Sequence, residues 1–148
     1  MDHVQKAREL FVEGYNCAQA VFAAFCDVTG MDFNTALKLS SSFGGGMGRM
    51  REVCGACSAM FMVCGMVDGY TSPIDDSAKA DHYTRIQQLA EQFRQRNGGT
   101  IICRELLDAL KPGDSPTPTK RTDDFYTARP CLKFVEDCAA ILDEYLAR

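Results

Sequence analysis

Eight cysteines in 148 residues carry the chemistry of this chain, and their positions divide them into two sets. Cys17, Cys54, Cys103 and Cys131 each follow a helix-start signal: Asn16, the glycine run ending at Gly48, Thr100 and Pro130. The first turn of a helix holds unpaired N–H groups and partial positive charge, so it favours thiolate over thiol and welcomes an anion. Cys26, Cys57, Cys64 and Cys138 lie inside helical patterns instead. Cys57 and Cys64 stand about 20° apart around a helix axis, and Cys138 shares a stripe with Phe134, Ile141 and Tyr145. This second set reads as small buried hydrophobes, except that Cys57 also completes a Cys-x-x-Cys with Cys54.

Four thiolates from four separate segments make a ligand set suited to an iron–sulfur cluster or to zinc. Structural zinc sites usually take their ligands as two short cysteine knuckles, and only Cys54 with Cys57 approaches one. Dispersed ligands ringed by helix N-termini suit an anionic cluster better, because N–H donors to the sulfurs help hold negative charge. A rival is thiol–disulfide exchange, with Cys54 attacking and Cys57 or another of the four resolving. The βαβ pattern that accompanies a thioredoxin-like Cys-x-x-Cys is missing here. A third reading is a structural zinc that only ties four segments together.

The glycine-rich turn Phe43-Gly44-Gly45-Gly46-Met47-Gly48-Arg49 feeds directly into the segment that carries Cys54. Glycine permits positive φ and close backbone approach, which makes Gly45, Gly46, Gly48 and Arg49 the candidate cofactor-binding positions. No Gly-Lys-Ser/Thr follows, so a phosphate-binding loop of the nucleotide type is excluded. Arg49 and Arg51 flank this turn. They either hold thiolates ionised, bind an anionic group, or are exposed charges beside a helix start. His3 and His82 read as surface residues without a ligand partner, and the acidic pairs offer no general acid and base.

These residues resemble a known family, the redox-active proteins named for a Cys, Gly-Cys-Ala-x-x-Gly, Cys, Cys pattern. The likeness rests on Gly14-Tyr15-Asn16-Cys17-Ala18-Gln19-Ala20, the stretch from Phe43 to Ala56, Cys103-Arg104-Glu105-Leu106-Leu107, and Cys131 ahead of Val135-Glu136-Asp137. It implies that Cys17, Cys54, Cys103 and Cys131 act together in redox chemistry. The pattern departs at the centre, where the order is Cys54-Gly55-Ala56 and Ala59 stands at the terminal glycine position.

Helical periodicity runs through nearly the whole chain, with little strand-like alternation, and predicts an all-α fold. Val4, Ala7, Leu10 and Phe11 form one apolar face; Ala18, Val21, Phe22 and Phe25 form a second that stops near Gly30. A short helix over about 34–43 precedes the glycines. A strongly apolar central helix follows over about 50–68. Ile86, Leu89, Ala90 and Phe93 mark a long polar helix that stops at Asn97-Gly98-Gly99. Shorter helices over 100–110 and 130–146 complete a bundle of six or seven. Residues 111–129, with Pro112, Pro116 and Pro118, read as a long loop that is either a lid over the cysteines or disordered.

The length and the 46% hydrophobic content fit one domain with a sizeable core. A net charge of −4 without a basic cluster excludes a nucleic-acid footprint. Ala56 to Val67 is too short to span a bilayer, and the charged first residues lack the form of a signal peptide. The expectation is a cytoplasmic protein with a redox partner protein, no membrane and no nucleic acid; a homo-oligomer is left open.

Overall fold

The computed structural model describes residues 2–148. Nine α-helices form among the described residues: α1 (His3–Glu13), α2 (Cys17–Ala24), α3 (Cys26–Thr29), α4 (Phe33–Ser40), α5 (Gly55–Asp68), α6 (Asp76–Arg96), α7 (Cys103–Leu106), α8 (Asp123–Ala128) and α9 (Cys131–Leu146). Single 3-10 turns at Ser41–Phe43 and Asp108–Leu110 complete them. The fold is all-α, as the periodicity predicts. It exceeds six or seven helices because the second apolar stretch breaks at Phe25 and because α8 forms within residues 111–129, which are therefore not one unbroken loop. Among the described residues no helix is long and apolar enough to cross a membrane.

The centre is built from α2 and α5, which pack on each other, with α9 against both; α1 covers α2 and α9, and α6 covers α5 and α9. Ala18, Ala20, Ala23 and Ala24 are buried on α2, and their small side chains let neighbouring helices come close. Phe22, Phe25, Met60, Phe93, Ile141 and Leu142 fill the space between helices. Truncating a phenylalanine in such a core costs about 3–5 kcal/mol.

The central helix begins at Gly55, later than the expected start near residue 50. The reason lies in the backbone before it. Gly45, Gly46, Met47, Gly48, Arg49 and Arg51 all have positive φ, between 56° and 71°. A right-handed helix cannot begin inside a left-handed coil. A non-glycine residue held this way costs about 1–3 kcal/mol; Arg49 N–H to Gly44 O (3.1 Å), Arg51 N–H to Gly45 O (3.1 Å) and Glu52 N–H to Gly46 O (2.9 Å) offset part of it.

Both histidines correct the surface reading. His3 is 9% exposed, stacks on Phe25 with ring centroids 4.1 Å apart, and places its two ring nitrogens 2.6 Å from Asp143 and 2.9 Å from Asp27. It thereby links α1, α3 and α9. His82 is equally buried, edge-on to Tyr70, and its Nδ1 has no hydrogen-bond partner among the described residues.

The start of α2 is fixed by a reciprocal cap. Asn16 Oδ1 accepts from Gln19 N–H (2.9 Å) while Gln19 Oε1 accepts from Asn16 N–H (3.1 Å). Each side chain also donates to a carbonyl of the next layer, Asn16 to Ser41 O and Gln19 to Leu37 O, both at 3.1 Å. Replacing Asn16 by Ala removes this cap, and we expect a loss of about 1–2 kcal/mol, read as a lower urea midpoint at unchanged m-value. A midpoint equal to that of the parent protein would show that the cap does not fix α2.

Candidate functional site

Cys54 and Cys103 are brought together by backbone. Val53 and Ile102 form an isolated antiparallel bridge. Around it Cys54 N–H donates to Ile101 O (2.8 Å), Cys103 N–H to Glu52 O (2.6 Å) and Arg104 N–H to Arg51 O (3.1 Å). An Arg104–Glu52 ion pair at 2.5 Å closes the outside of the clasp. Gly46 packs behind it, where an added Cβ would lie 2.7 Å from Cys103 Cβ and 2.8 Å from Arg51 Cα.

Cys17 reaches the same place by helix packing. It opens α2, and the first turn of α5 presses so closely on it that a Cβ at Gly55 would lie 2.6 Å from both Cys17 Sγ and Phe43 O. Cys131 is the first residue of α9, after Pro130. Cys103 likewise opens α7, while Cys54 sits one residue earlier, at the N-cap of α5. The helix-start reading of all four therefore matches the fold to within a residue.

All four line one cavity of about 650 Å³. Gly45, Gly48 and Arg49 form part of its wall, while Gly46 acts from behind. Phe11 and Phe134 supply an apolar side, and Pro116, Pro118 and Thr119 bring the 111–129 segment across it. That segment is held there by Arg49, which donates to Ser115 O (2.6 Å) and Thr119 Oγ1 (3.0 Å), and by Arg51, which donates to Gly113 O (2.9 Å). Arg51 is not an exposed charge: it is 4% exposed, and its Nη1 is 3.7 Å from Cys103 Sγ.

Cys57, Cys64 and Cys138 are wholly buried and Cys26 half-buried, as packing residues should be. Cys57 lies directly behind the cavity: the Cys54 thiol points to Cys57, and Cys57 in turn to Cys138. Ala59, at the departure from the family pattern, is fully buried, so the methyl group is accommodated. The two residues that sequence reasoning underrated are Arg121 and Arg129, which also line the cavity; in sequence they are lone charges in a polar stretch.

Electrostatics reverse the expectation of stabilised thiolates. Burial pushes the Cys17 thiol up to about 11, with Cys54 and Cys103 adding to it. Part of its surface faces the cavity, yet protein encloses it, and the enclosure governs its ionisation. The hydrogen bond toward Cys57, followed by burial, raises Cys54 well above the ordinary thiol range. Burial, then Cys17, Cys54 and Cys103, raises Cys131. Backbone amides oppose this but do not win: Gly45 and Ala18 favour the Cys17 thiolate, and Ala56 and Cys57 the Cys54 thiolate, although the latter fall short of a full capping hydrogen bond. Cys17, Cys54 and Cys131 therefore ionise readily only when a positive group joins them. Among the described residues no three cysteine, histidine or carboxylate groups are gathered closely enough for one metal ion.

In this all-α fold four cysteines from four segments thus line a single cavity. The chain belongs to the family described as "Putative redox-active protein (C_GCAxxG_C_C)", whose model matches residues 15–145. No curated protein and no solved structure matches it.

Two measurements follow from this geometry. The raised thiol pKa values mean that the folded, metal-free protein holds protons that the unfolded chain, with thiols near 9.0, releases first. Stability is therefore full below pH 9 and declines as pH rises toward about 11; a urea midpoint that stays level over this interval would contradict the assignment. Gly55→Ala forces Cys17 and the Phe43 carbonyl apart. We expect a destabilisation of about 1–3 kcal/mol together with faster alkylation of Cys17 by iodoacetamide, quantified by mass spectrometry.

Proposed function

We propose that Cys17, Cys54, Cys103 and Cys131 bind an iron–sulfur cluster and that the protein passes electrons to a redox partner protein in the cytoplasm. The observation that carries the reading is the convergence of four helix-start thiols, from four segments, on one partly enclosed cavity. A single zinc needs its sulfurs about 2.3 Å from one point, and no such gathering exists among the described residues. A multi-iron group spreads its ligands more widely and suits the cavity better. When bound, a cluster would supply one-electron transfer at a potential set by charge, hydrogen bonding and solvent access.

The chain's own groups have definite parts in this reading. The Gly45 and Ala18 amides face Cys17, the Ala56 and Cys57 amides face Cys54, and the Arg51 guanidinium faces Cys103; each favours sulfur carrying negative charge. The 111–129 segment narrows access of water to the sulfurs. Because the Cys17, Cys54 and Cys131 thiols are raised and so protonated at neutral pH, loading releases protons and strengthens as pH rises. Eight thiols also suit a reducing compartment.

A second reading has its own support. Cys54 at the N-cap of α5 and Cys57 three residues on, with their thiols facing, form the arrangement that a reversible disulfide requires. The raised Cys54 pKa argues against a fast attacking thiolate, which weakens it.

The test is iron and acid-labile sulfide content, with a visible spectrum, on protein purified without oxygen. Iron with sulfide and a charge-transfer band are expected, lost in each of Cys17→Ser, Cys54→Ser, Cys103→Ser and Cys131→Ser and retained in Cys57→Ala. Zinc alone would favour the structural metal. Metal-free protein whose disulfide reductase activity disappears in Cys57→Ala would establish exchange instead.

A further inference from the structure

Four arginines stand on the wall of the cysteine cavity: Arg49, Arg51, Arg121 and Arg129. None forms an ion pair with a carboxylate among the described residues, although Arg8, Arg94, Arg96, Arg104 and Arg148 all do. Their partners are neutral. Arg49 and Arg51 donate to loop carbonyls and Thr119; Arg121 donates to Phe11 O (2.8 Å) and Tyr15 O (2.9 Å) and lies over the Phe11 ring; Arg129 lies over Phe125. Arg51 and Arg129 are near enough to Arg49 to lower its proton affinity, after burial, by like-charge repulsion.

Such a concentration of uncompensated charge in a partly enclosed space is unfavourable unless something negative enters it. Four thiolates around a cationic core carry fewer net negative charges than these arginines carry positive ones, so a cluster alone leaves an excess. A second observation points the same way. Arg51 is 4% exposed, and its Nη2 is buried with no hydrogen-bond partner among the described residues. Buried donors are ordinarily satisfied. The volume, about 650 Å³, lies within the range of about 300–1,000 Å³ typical of small-molecule sites.

We propose that the arginine side of the cavity binds a small molecule bearing an oxyanion or carboxylate group, held by the guanidinium N–H groups of Arg49, Arg51 and Arg129 beside the cysteine sulfurs. Planar guanidinium forks match carboxylate and phosphate oxygens in pairs, which a point charge does not. Phe11 and Phe134 offer the rest of the molecule an apolar wall. The inference rests on the cavity being the working site of the redox protein, but it does not require the cluster: it names the chemical class of the substrate or effector admitted there.

The experiment is calorimetric titration of the full chain, purified without oxygen, with inorganic phosphate, with oxalate, and with chloride at matched ionic strength. Iron and sulfide are measured on the same sample. Saturable binding of phosphate or oxalate but not chloride is expected, and the better of the two distinguishes an oxyanion from a carboxylate. Affinity should fall by about tenfold or more in Arg51→Gln and in Arg129→Gln, and stay unchanged in Arg8→Gln. The Arg129 side chain makes one long hydrogen bond, to Thr119, and lies over the Phe125 ring, so its variant keeps the test open if Arg51→Gln fails to fold. Absence of saturable binding, or equal affinity in Arg129→Gln and the parent, overturns the proposal. The metal assay separates the two readings: anion binding without iron leaves this inference standing while the cluster falls, and iron without anion binding does the reverse.

Discussion

Backbone pairing between residues 51–54 and 101–104 is the constraint on which the site depends. Helix packing alone would bring α2, α5 and α9 together, but α7 is a single turn with little surface of its own to bury. Three N–H donors and one bridge hold it in place. The same pairing explains the left-handed coil before α5. The chain must reverse tightly within a few residues to present Glu52 and Cys54 to the facing strand-like segment, and positive φ at six of the seven positions from Gly45 to Arg51 achieves that reversal. Strain in the coil and order at the site are two sides of one arrangement.

Helix N-termini and burial act on the same sulfurs with opposite sign. In an exposed helix start the amides would decide, and the thiol would ionise easily. Here the thiols share a cavity, so Cys17 and Cys131 meet desolvation and the charge of their neighbours, and the amides at Cys17 do not compensate. Their direction nevertheless matters. The Gly45 and Ala18 amides favour negative charge on Cys17, the Ala56 and Cys57 amides on Cys54, and the Arg51 guanidinium lies beside the Cys103 sulfur.

Much of this was legible in the sequence because caps and apolar periodicity are local. Asn16 and Pro130 mark helix starts through neighbours a few residues away, and the four cysteines beside such signals do share one site wall. The start of α5 was less legible, since Met47, Arg49 and Arg51 are residues that rarely accept positive φ, and contacts with residues 101–104 and 113–119, distant in sequence, help hold the coil. The histidines failed for a similar reason. His3 is buried by Asp27, Asp143 and Phe25, which lie on other elements, and nothing near position 3 announces them. Arg121 and Arg129 become site residues only because α8 packs Phe125 and Tyr126 on Phe11, which carries Arg121 over the Phe11 ring and Arg129 over the Phe125 ring.

The order of the cysteines along the chain has a consequence for synthesis. Cys131 opens α9, the last helix, and α9 also covers α1, α2, α5 and α6. While the ribosome adds residues at about 5–20 per second, Cys17, Cys54 and Cys103 emerge well before the wall that encloses them exists. The nascent chain thus carries open thiols for several seconds, and the finished cavity appears abruptly when α9 docks. Any guest must either be delivered during that interval or enter afterwards beneath the 111–129 segment.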